Sequence, residues 1–224
     1  MNNLVLYNYF RSSTSYRVRI ALNYKNLDYT YKPIHLLKDG GEQNQEPYRQ
    51  LNPIGGVPTL THNGKSISQS MAVIEYLDEA FPQQKLFPTD IYLKNKTRQI
   101  CEIINADIHP LQNLKIMKFL TDQFQLSEEQ KNLWLKNWIE SGLKAVEKTI
   151  LEFYTQDFCM GSQVTAADMF LIPQLFSSRR FNANVNAFPT LLKIEEKCLS
   201  LPAFQKAHPF CQIDTPDEFR NQRT

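Results

Sequence analysis

The chain reads as α/β plus all-α: an α/β domain over residues 1–81, a linker at 82–88 and an all-helical domain over 89–224. Three observations carry this prediction. The apolar tetrad Leu4-Val5-Leu6-Tyr7 gives way to Val18, Ala21 and Leu22 at helical i, i+3, i+4 spacing, a strand followed by a helix. Asn63-Gly64, the commonest tight hairpin signal, joins two short extended runs. Beyond Pro88 no run alternates like a strand, and helical periodicities take over.

Taken in order, Leu4 to Tyr7 has the length and apolarity of a buried strand, and the next helix opens in the hydroxyl cluster Ser12-Ser13-Thr14-Ser15. Tyr29 to Ile34 alternates like a second strand, and the polar, glycine-containing stretch from Lys38 to Gln50 reads as a loop. Thr59-Leu60-Thr61 and Lys65-Ser66-Ile67-Ser68 form the hairpin, and Met71 to Ala80 gathers Met71, Ile74 and Leu77 on and around one helical face. The order is therefore β-α-β, loop, β-β-α. From Phe81 to Pro88 every periodicity breaks, and the closely spaced prolines mark a linker. Residues 90–121, 127–155, 165–181 and 188–200 carry helical spacing, with breaks at Ser127, at Gly161-Ser162 and before Pro189. Thr165-Ala166-Ala167-Asp168 fits a capping box, a folding signal rather than chemistry.

Composition bounds the function. A chain of 224 residues with 42% hydrophobic content and 7 glycines buries one sizeable core or two small ones. The net charge of +2, with basic and acidic residues interleaved, argues against nucleic acid or a charged membrane surface as partner. No stretch of about 20 apolar residues occurs, and the start has no basic segment backed by an apolar one, so a cytoplasmic protein is expected. Cys101, Cys159, Cys198 and Cys211 are widely separated and read as small core residues, not as a disulfide framework, a redox pair or zinc ligands. The four histidines lack metal-site spacing, so no metal is expected.

The chemistry concentrates in the run Arg11-Ser12-Ser13-Thr14-Ser15-Tyr16-Arg17-Val18-Arg19-Ile20-Ala21-Leu22, where a strand passes into a helix. At a helix start the unpaired N–H groups and the positive end of the dipole favour an anion, and a serine hydroxyl adds a donor. If the anion is a thiolate, the same geometry lowers its pKa. Pro58 follows Val57 just before a strand, either as a bland turn proline or as a cis peptide. Ser70 is either a plain N-cap or a ligand contact; a helix start serves both. His109 and Asn113, four residues apart on one expected helix, share a face, with Lys115 turned partly away. Arg180 taken alone reads as a surface arginine in an ion pair, and Arg179 is expected to be solvated.

The segments Asn52-Pro-Ile-Gly-Gly-Val57-Pro58-Thr-Leu60 and Gln69-Ser70-Met-Ala-Val-Ile-Glu-Tyr-Leu77, in this order of elements, resemble the glutathione S-transferases. The serine-type opening at residues 11–22 is similar to the zeta class in particular. Further matches are Asp107-Ile-His-Pro-Leu-Gln-Asn-Leu-Lys115, Pro173-Gln174, Arg180-Phe181 and the tail from Leu201 to Pro209 with Asp214-Thr-Pro-Asp217, so the resemblance spans nearly the whole chain.

The resemblance implies a thioredoxin-like amino-terminal domain that binds glutathione, a helical substrate domain and a homodimer, with Val57-Pro58 a cis peptide whose bend leaves the Val57 backbone able to pair with a peptide-like ligand. Implied too is a glutathione-dependent cis-trans isomerisation of maleylacetoacetate to fumarylacetoacetate, a step in tyrosine and phenylalanine breakdown, with glutathione transferase side activity. Ser12 and Ser13 are the catalytic candidates. The implied glutathione contacts are Ser12, Ser13, Thr14, Gln43, Val57, Gln69, Ser70, His109, Asn113 and Lys115, with Gln69 and Ser70 on the γ-glutamyl carboxylate. Arg11 and Arg180 are the candidate contacts to a small dicarboxylate substrate. Zeta proteins often carry cysteine where this chain has Thr14, so no protein thiol is expected to be essential. The alternatives are isomerisation of maleylpyruvate, general conjugation using Tyr7 or Tyr9, and glutathione binding without catalysis.

Overall fold

The computed structural model describes residues 3–155 and 157–220. They fall into two compact units, the described residues of Met1–Leu86 with Leu199–Thr224, and those of Phe87–Cys198.

The first unit is built on strand β1 (Leu4–Asn8), helix α1 (Ser13–Tyr24), strand β2 (Thr30–Pro33), the single-turn helix α2 (Glu46–Arg49), strands β3 (Thr59–His62) and β4 (Lys65–Ser68), and helix α3 (Ser70–Ala80). The sheet order is β2-β1-β3-β4, with β1 parallel to β2 and antiparallel to β3. Leu6 sits opposite both Tyr31 and Leu60, and Leu4, Leu6 and Leu60 are buried. The β3–β4 turn carries Asn63 and Gly64 at φ 50° and 80°, the left-handed pair such a tight hairpin requires. The order of the strands and of α1 and α3 matches the sequence prediction, with ends shifted by a residue or two, but the stretch 38–50 expected as a loop holds the single-turn helix α2, with Pro47 in its first turn.

Helix α1 is buried nearly all round. It packs against α3 and against α9, a short helix of the carboxyl-terminal segment. That segment is where the structure departs from the expected division at 89–224: Leu199 onward belongs with the first unit. The reason is a fully buried arginine. Arg19 donates through Nε to Ala207 O (3.0 Å), and through its two terminal nitrogens to Asn8 Oδ1 (3.0 Å), Tyr9 O (3.3 Å) and Phe10 O (3.0 Å). A buried guanidinium requires acceptors on each nitrogen, and the tail supplies one of them. Desolvation pulls the Arg19 pKa below its ordinary value. The expected linker is also anchored rather than loose. Leu86 and Phe87 are buried, Leu86 N donates to Asp78 Oδ1 (2.7 Å), and buried Lys25 donates to the Gln83 and Gln84 carbonyls.

The second unit contains α4 (Ile91–Glu102), α5 (Leu114–Phe124), α6 (Glu128–Ile150), α7 (Ala166–Arg180) and α8 (Pro189–Leu199, whose last residue opens the tail). The tail continues with α9 (Pro202–Ala207) and the single-turn α10 (Asp217–Arg220). Ser127 caps α6 and Pro189 opens α8, as the sequence breaks predict. Helix 90–121 is not continuous, contrary to its periodicity. After α4 the backbone widens into a π-turn over Ile103–Ile108, tightens into a 3₁₀ turn over His109–Gln112 and restarts at Asn113. Pro110 explains the break, because it lacks an N–H and its ring clashes with the preceding helical turn. Gly142 of α6 is required there: a Cβ would lie 2.3 Å from the Ile108 side chain. Among the described residues no helix is long and apolar enough to cross a membrane.

Candidate functional site

Ser12 is the N-cap of α1, and its Oγ accepts from the Ser15 N–H at 3.2 Å. Ser13 is the buried first residue of the helix, and no acidic side chain lies in the first turn to neutralise the dipole there. Two residues on from Ser12, Thr14 Oγ1 donates to the Val57 carbonyl at 2.8 Å and contacts Ser12 Oγ at 2.9 Å. A carbonyl has no hydrogen to give, so the single Thr14 hydroxyl proton is committed to Val57. The proton between the two hydroxyls therefore comes from Ser12. The hydroxyl chain runs from Ser12 to Thr14 to the Val57 carbonyl.

Val57-Pro58 is a cis peptide, as expected. The loop before it is braced from beneath. Asn52 Nδ2 donates to Gly56 O (2.7 Å) and Thr59 Oγ1 (3.1 Å), and the Tyr48 hydroxyl donates to Gly56 O (2.5 Å). Burial pushes the Tyr48 hydroxyl pKa up, which keeps it a donor.

Ser70 is not the N-cap of α3. Gln69 holds that position, at φ 72° and ψ 116°, and Ser70 is the buried first helical residue. A non-glycine residue in that backbone region costs of order 1–3 kcal/mol and marks a place where function and geometry meet. The Ser70 hydroxyl accepts instead from Arg17, whose Nη1 reaches it across from α1 at 3.1 Å. Arg17 is fully buried behind this helix start, and sequence reasoning does not single it out. Its only signal is a basic residue five positions beyond Ser12 on a helix that otherwise reads as core. With no acidic residue in the first turn of α3, the α3 start presents a guanidinium-backed, anion-favouring end.

Gln43 lies on a short 3₁₀ turn, Glu42–Asn44, in the same unit. Its Nε2 donates to Leu36 O (3.1 Å), which fixes the amide orientation, and its buried Oε1 accepts nothing among the described residues. A buried acceptor of this kind calls for a donor. Together with the Val57 backbone and the basic α3 start, it suits a ligand carrying peptide N–H groups and a carboxylate, which describes glutathione.

Arg11 lies over the Phe219 ring, 5.3 Å from its centroid, and the preceding Phe10 N donates to Asp214 Oδ2 at 2.9 Å. The tail thus buttresses the turn that carries Arg11 and Ser12. Tyr7 packs against Tyr48, with Lys32 over its ring, and buried Tyr9 packs against Phe10 and His35. These contacts account for both tyrosines as packing.

The remaining candidates belong to the second unit. His109 stands in the 3₁₀ turn and Asn113 is the N-cap of α5, its Oδ1 accepting from the Lys115 N–H at 3.2 Å. The shared helical face expected for His109 and Asn113 is therefore absent, because Pro110 divides the helix between them. Lys115 is exposed at the start of α5. Arg180, exposed near the end of α7, stacks over the Phe181 ring at 4.6 Å. Arg179 is not simply solvated: it forms a forked ion pair with Glu195, and those hydrogen bonds raise its pKa further. Buried Gln112 and Gln174 exchange reciprocal amide hydrogen bonds at 3.2 Å, a polar clasp that the sequence pattern does not reveal.

The cysteines take no part in this constellation. Cys101, Cys159 and Cys198 are buried and Cys211 is exposed. Desolvation, reinforced by Asp168, pushes the Cys159 and Cys198 thiols well above their ordinary range.

Known proteins resemble this chain in both sequence and fold. Residues 6–85 match the family model of the glutathione S-transferase amino-terminal domain. The chain is 43% identical over 216 residues to maleylacetoacetate isomerase of Rattus norvegicus, covering 96% of this chain and 97% of the relative. Its fold superposes on the holo structure of a bacterial maleylpyruvate isomerase, described as a zeta-class glutathione S-transferase, with TM-score 0.90 and 35% identity over 95% of this chain and all of the other. It is similar also to maleylacetoacetate isomerase of Anaeromyxobacter dehalogenans, crystallised with glutathione in its active site (TM-score 0.85, 35% identity, 96% and 99% covered). By sequence over nearly its full length and by the arrangement of its strands and helices, the chain belongs to the zeta class of the glutathione S-transferase family.

Proposed function

We propose that the protein is a glutathione-dependent cis-trans isomerase that converts maleylacetoacetate to fumarylacetoacetate in the breakdown of tyrosine and phenylalanine. The observation that carries this reading is the hydroxyl pair Ser12 and Thr14 at the uncompensated start of α1, joined to the Val57 carbonyl. Glutathione, when bound, supplies a thiolate that adds reversibly to the conjugated double bond, so that the bond rotates as a single bond. Around it the chain's residues divide the work. Ser12, with Ser13 beside it, donates to the sulfur and holds it ionised. Thr14 and the Val57 backbone fix the peptide part, and Gln43 gives it an acceptor. Gln69, Ser70 and Arg17 hold the γ-glutamyl carboxylate. His109, Asn113 and Lys115 are further glutathione contacts, and Arg11 and Arg180 orient the two carboxylates of the substrate. The same reading places the enzyme in the cytoplasm as a homodimer.

The specific second reading is maleylpyruvate isomerisation, favoured by the TM-score of 0.90 to an enzyme of that name. The test is loss of each substrate by purified protein, with and without glutathione. Glutathione-dependent turnover with the higher kcat/KM for maleylacetoacetate is expected. A preference for maleylpyruvate moves the enzyme to that reaction, and turnover of neither overturns both readings.

A further inference from the structure

We propose that Thr14 is a positioning residue that couples recognition of the glutathione backbone to ionisation of its thiol, by reversal of a two-hydroxyl chain. The inference rests on the glutathione reading of this site. In the structure the proton count leaves one arrangement: Ser15 N–H to Ser12 Oγ, Ser12 O–H to Thr14 Oγ1, and Thr14 O–H to Val57 O. In this arrangement Ser12 commits its only proton to Thr14 and has none left for a sulfur. If Ser12 turned toward a sulfur while Thr14 still faced Val57, the two hydroxyl oxygens would stand 2.9 Å apart with no proton between them, so release is favoured when Thr14 turns its own proton from Val57 toward Ser12, and Val57 O then calls for another donor.

An extended peptide paired against the Val57 edge brings such a donor in its N–H. With Val57 satisfied by the ligand, both hydroxyls rotate together: Thr14 donates to Ser12 and Ser12 donates to the sulfur. No bond to hydrogen breaks; two O–H groups turn about their C–O bonds. Ser12 Oγ then accepts from both Ser15 N–H and Thr14 O–H, which polarises its hydroxyl and strengthens the donation to a negative sulfur. In this chain residue 14 acts as a group that both gives and receives a hydrogen bond, a task for which threonine is suited, a thiol serves more weakly and an aliphatic side chain does not serve at all.

The experiment measures the pKa of the bound thiol from its ultraviolet thiolate absorbance, together with calorimetric affinities for glutathione and S-methylglutathione. Thr14→Val is expected to raise the bound-thiol pKa by about one unit, a tenfold loss of thiolate at neutral pH. Its affinity for glutathione falls more than its affinity for S-methylglutathione, which has no thiolate to receive the Ser12 proton. Thr14→Ser, which keeps the hydroxyl, retains the original pKa. Thr14→Cys, a weaker donor of similar size, gives an intermediate shift and serves in place of the valine variant should that not fold. An unchanged thiol pKa, or equal losses for both ligands, reduces Thr14 to a clamp on the loop and overturns the coupling. Failure of the unaltered protein to bind glutathione is a separate result, which removes the underlying reading itself.

Discussion

On the proposed function Ser12 has two duties that mutation separates. As an N-cap it satisfies the Ser15 N–H, and its loss costs about 1 kcal/mol of stability. As a donor to a thiolate it resembles a group that stabilises developing charge, where loss of one donor costs about 100-fold to 1000-fold in rate. Ser12→Ala is therefore expected to lower kcat by roughly 100-fold or more while moving the unfolding midpoint only modestly. Tyr7→Phe, at a residue that packs against Tyr48, is expected to leave kcat within a few-fold. A larger loss in the tyrosine variant would shift the chemistry to the strand end. The serines are legible in the sequence because hydroxyls clustered at a strand-to-helix junction have a local physical meaning. Arg17 is not, because its burial and its bond to Ser70 depend on how α1 and α3 pack.

At the scale of elements, the start of α7 shows how a local motif becomes a tertiary one. Asp168 accepts from Thr165 N–H at 2.8 Å, the contact a capping box predicts. It also accepts from Cys159 N–H at 2.8 Å, which ties the preceding loop to the helix. Desolvation raises the Asp168 pKa, against the pull of these hydrogen bonds. Asp168→Ala leaves both N–H groups buried without acceptors, at about 1–3 kcal/mol each. A drop in the urea midpoint equivalent to about 3 kcal/mol or more is expected; a drop below about 1 kcal/mol would mean the loop finds other acceptors. Pro110 illustrates the opposite case. Helical spacing runs through it, and only the proline's missing N–H and bulky ring decide that the helix breaks and that Asn113 becomes a cap. Periodicity alone therefore places His109 and Asn113 on a common face that the backbone does not form.

On the scale of the whole molecule, buried phenols shape the response to pH. Tyr29, Tyr31 and Tyr48 all have pKa values raised above their ordinary 10, chiefly by desolvation. A raised folded-state pKa means that stability is fully present below the unfolded value and is lost as pH rises through and beyond it. The urea midpoint is accordingly expected to fall as pH climbs above about 10. Lys25 adds an opposite slope below its ordinary 10.5, because burial lowers its pKa, so the phenol contribution is read as a difference between proteins. Tyr31 hydrogen-bonds to Asp214 of the carboxyl-terminal segment, and Tyr31→Phe should flatten the alkaline fall. An unaltered slope would assign the transition to other groups.

The sequence by itself determined the strand and helix order of the first 80 or so residues, the hairpin at Asn63-Gly64, the helical character of the chain beyond Pro88 and the hydroxyl-rich helix start, because each depends on residues close together in the chain. Tertiary structure alone decided that the tail from Leu199 folds back to complete the first unit, that Arg17 stands behind Ser70, and that the Ser12 proton faces Thr14. These depend on contacts between residues as far apart as Arg19 and Ala207, or on which of two partners has a hydrogen to give. Such pairings are settled only when burial removes water and every polar group must find its partner within the fold.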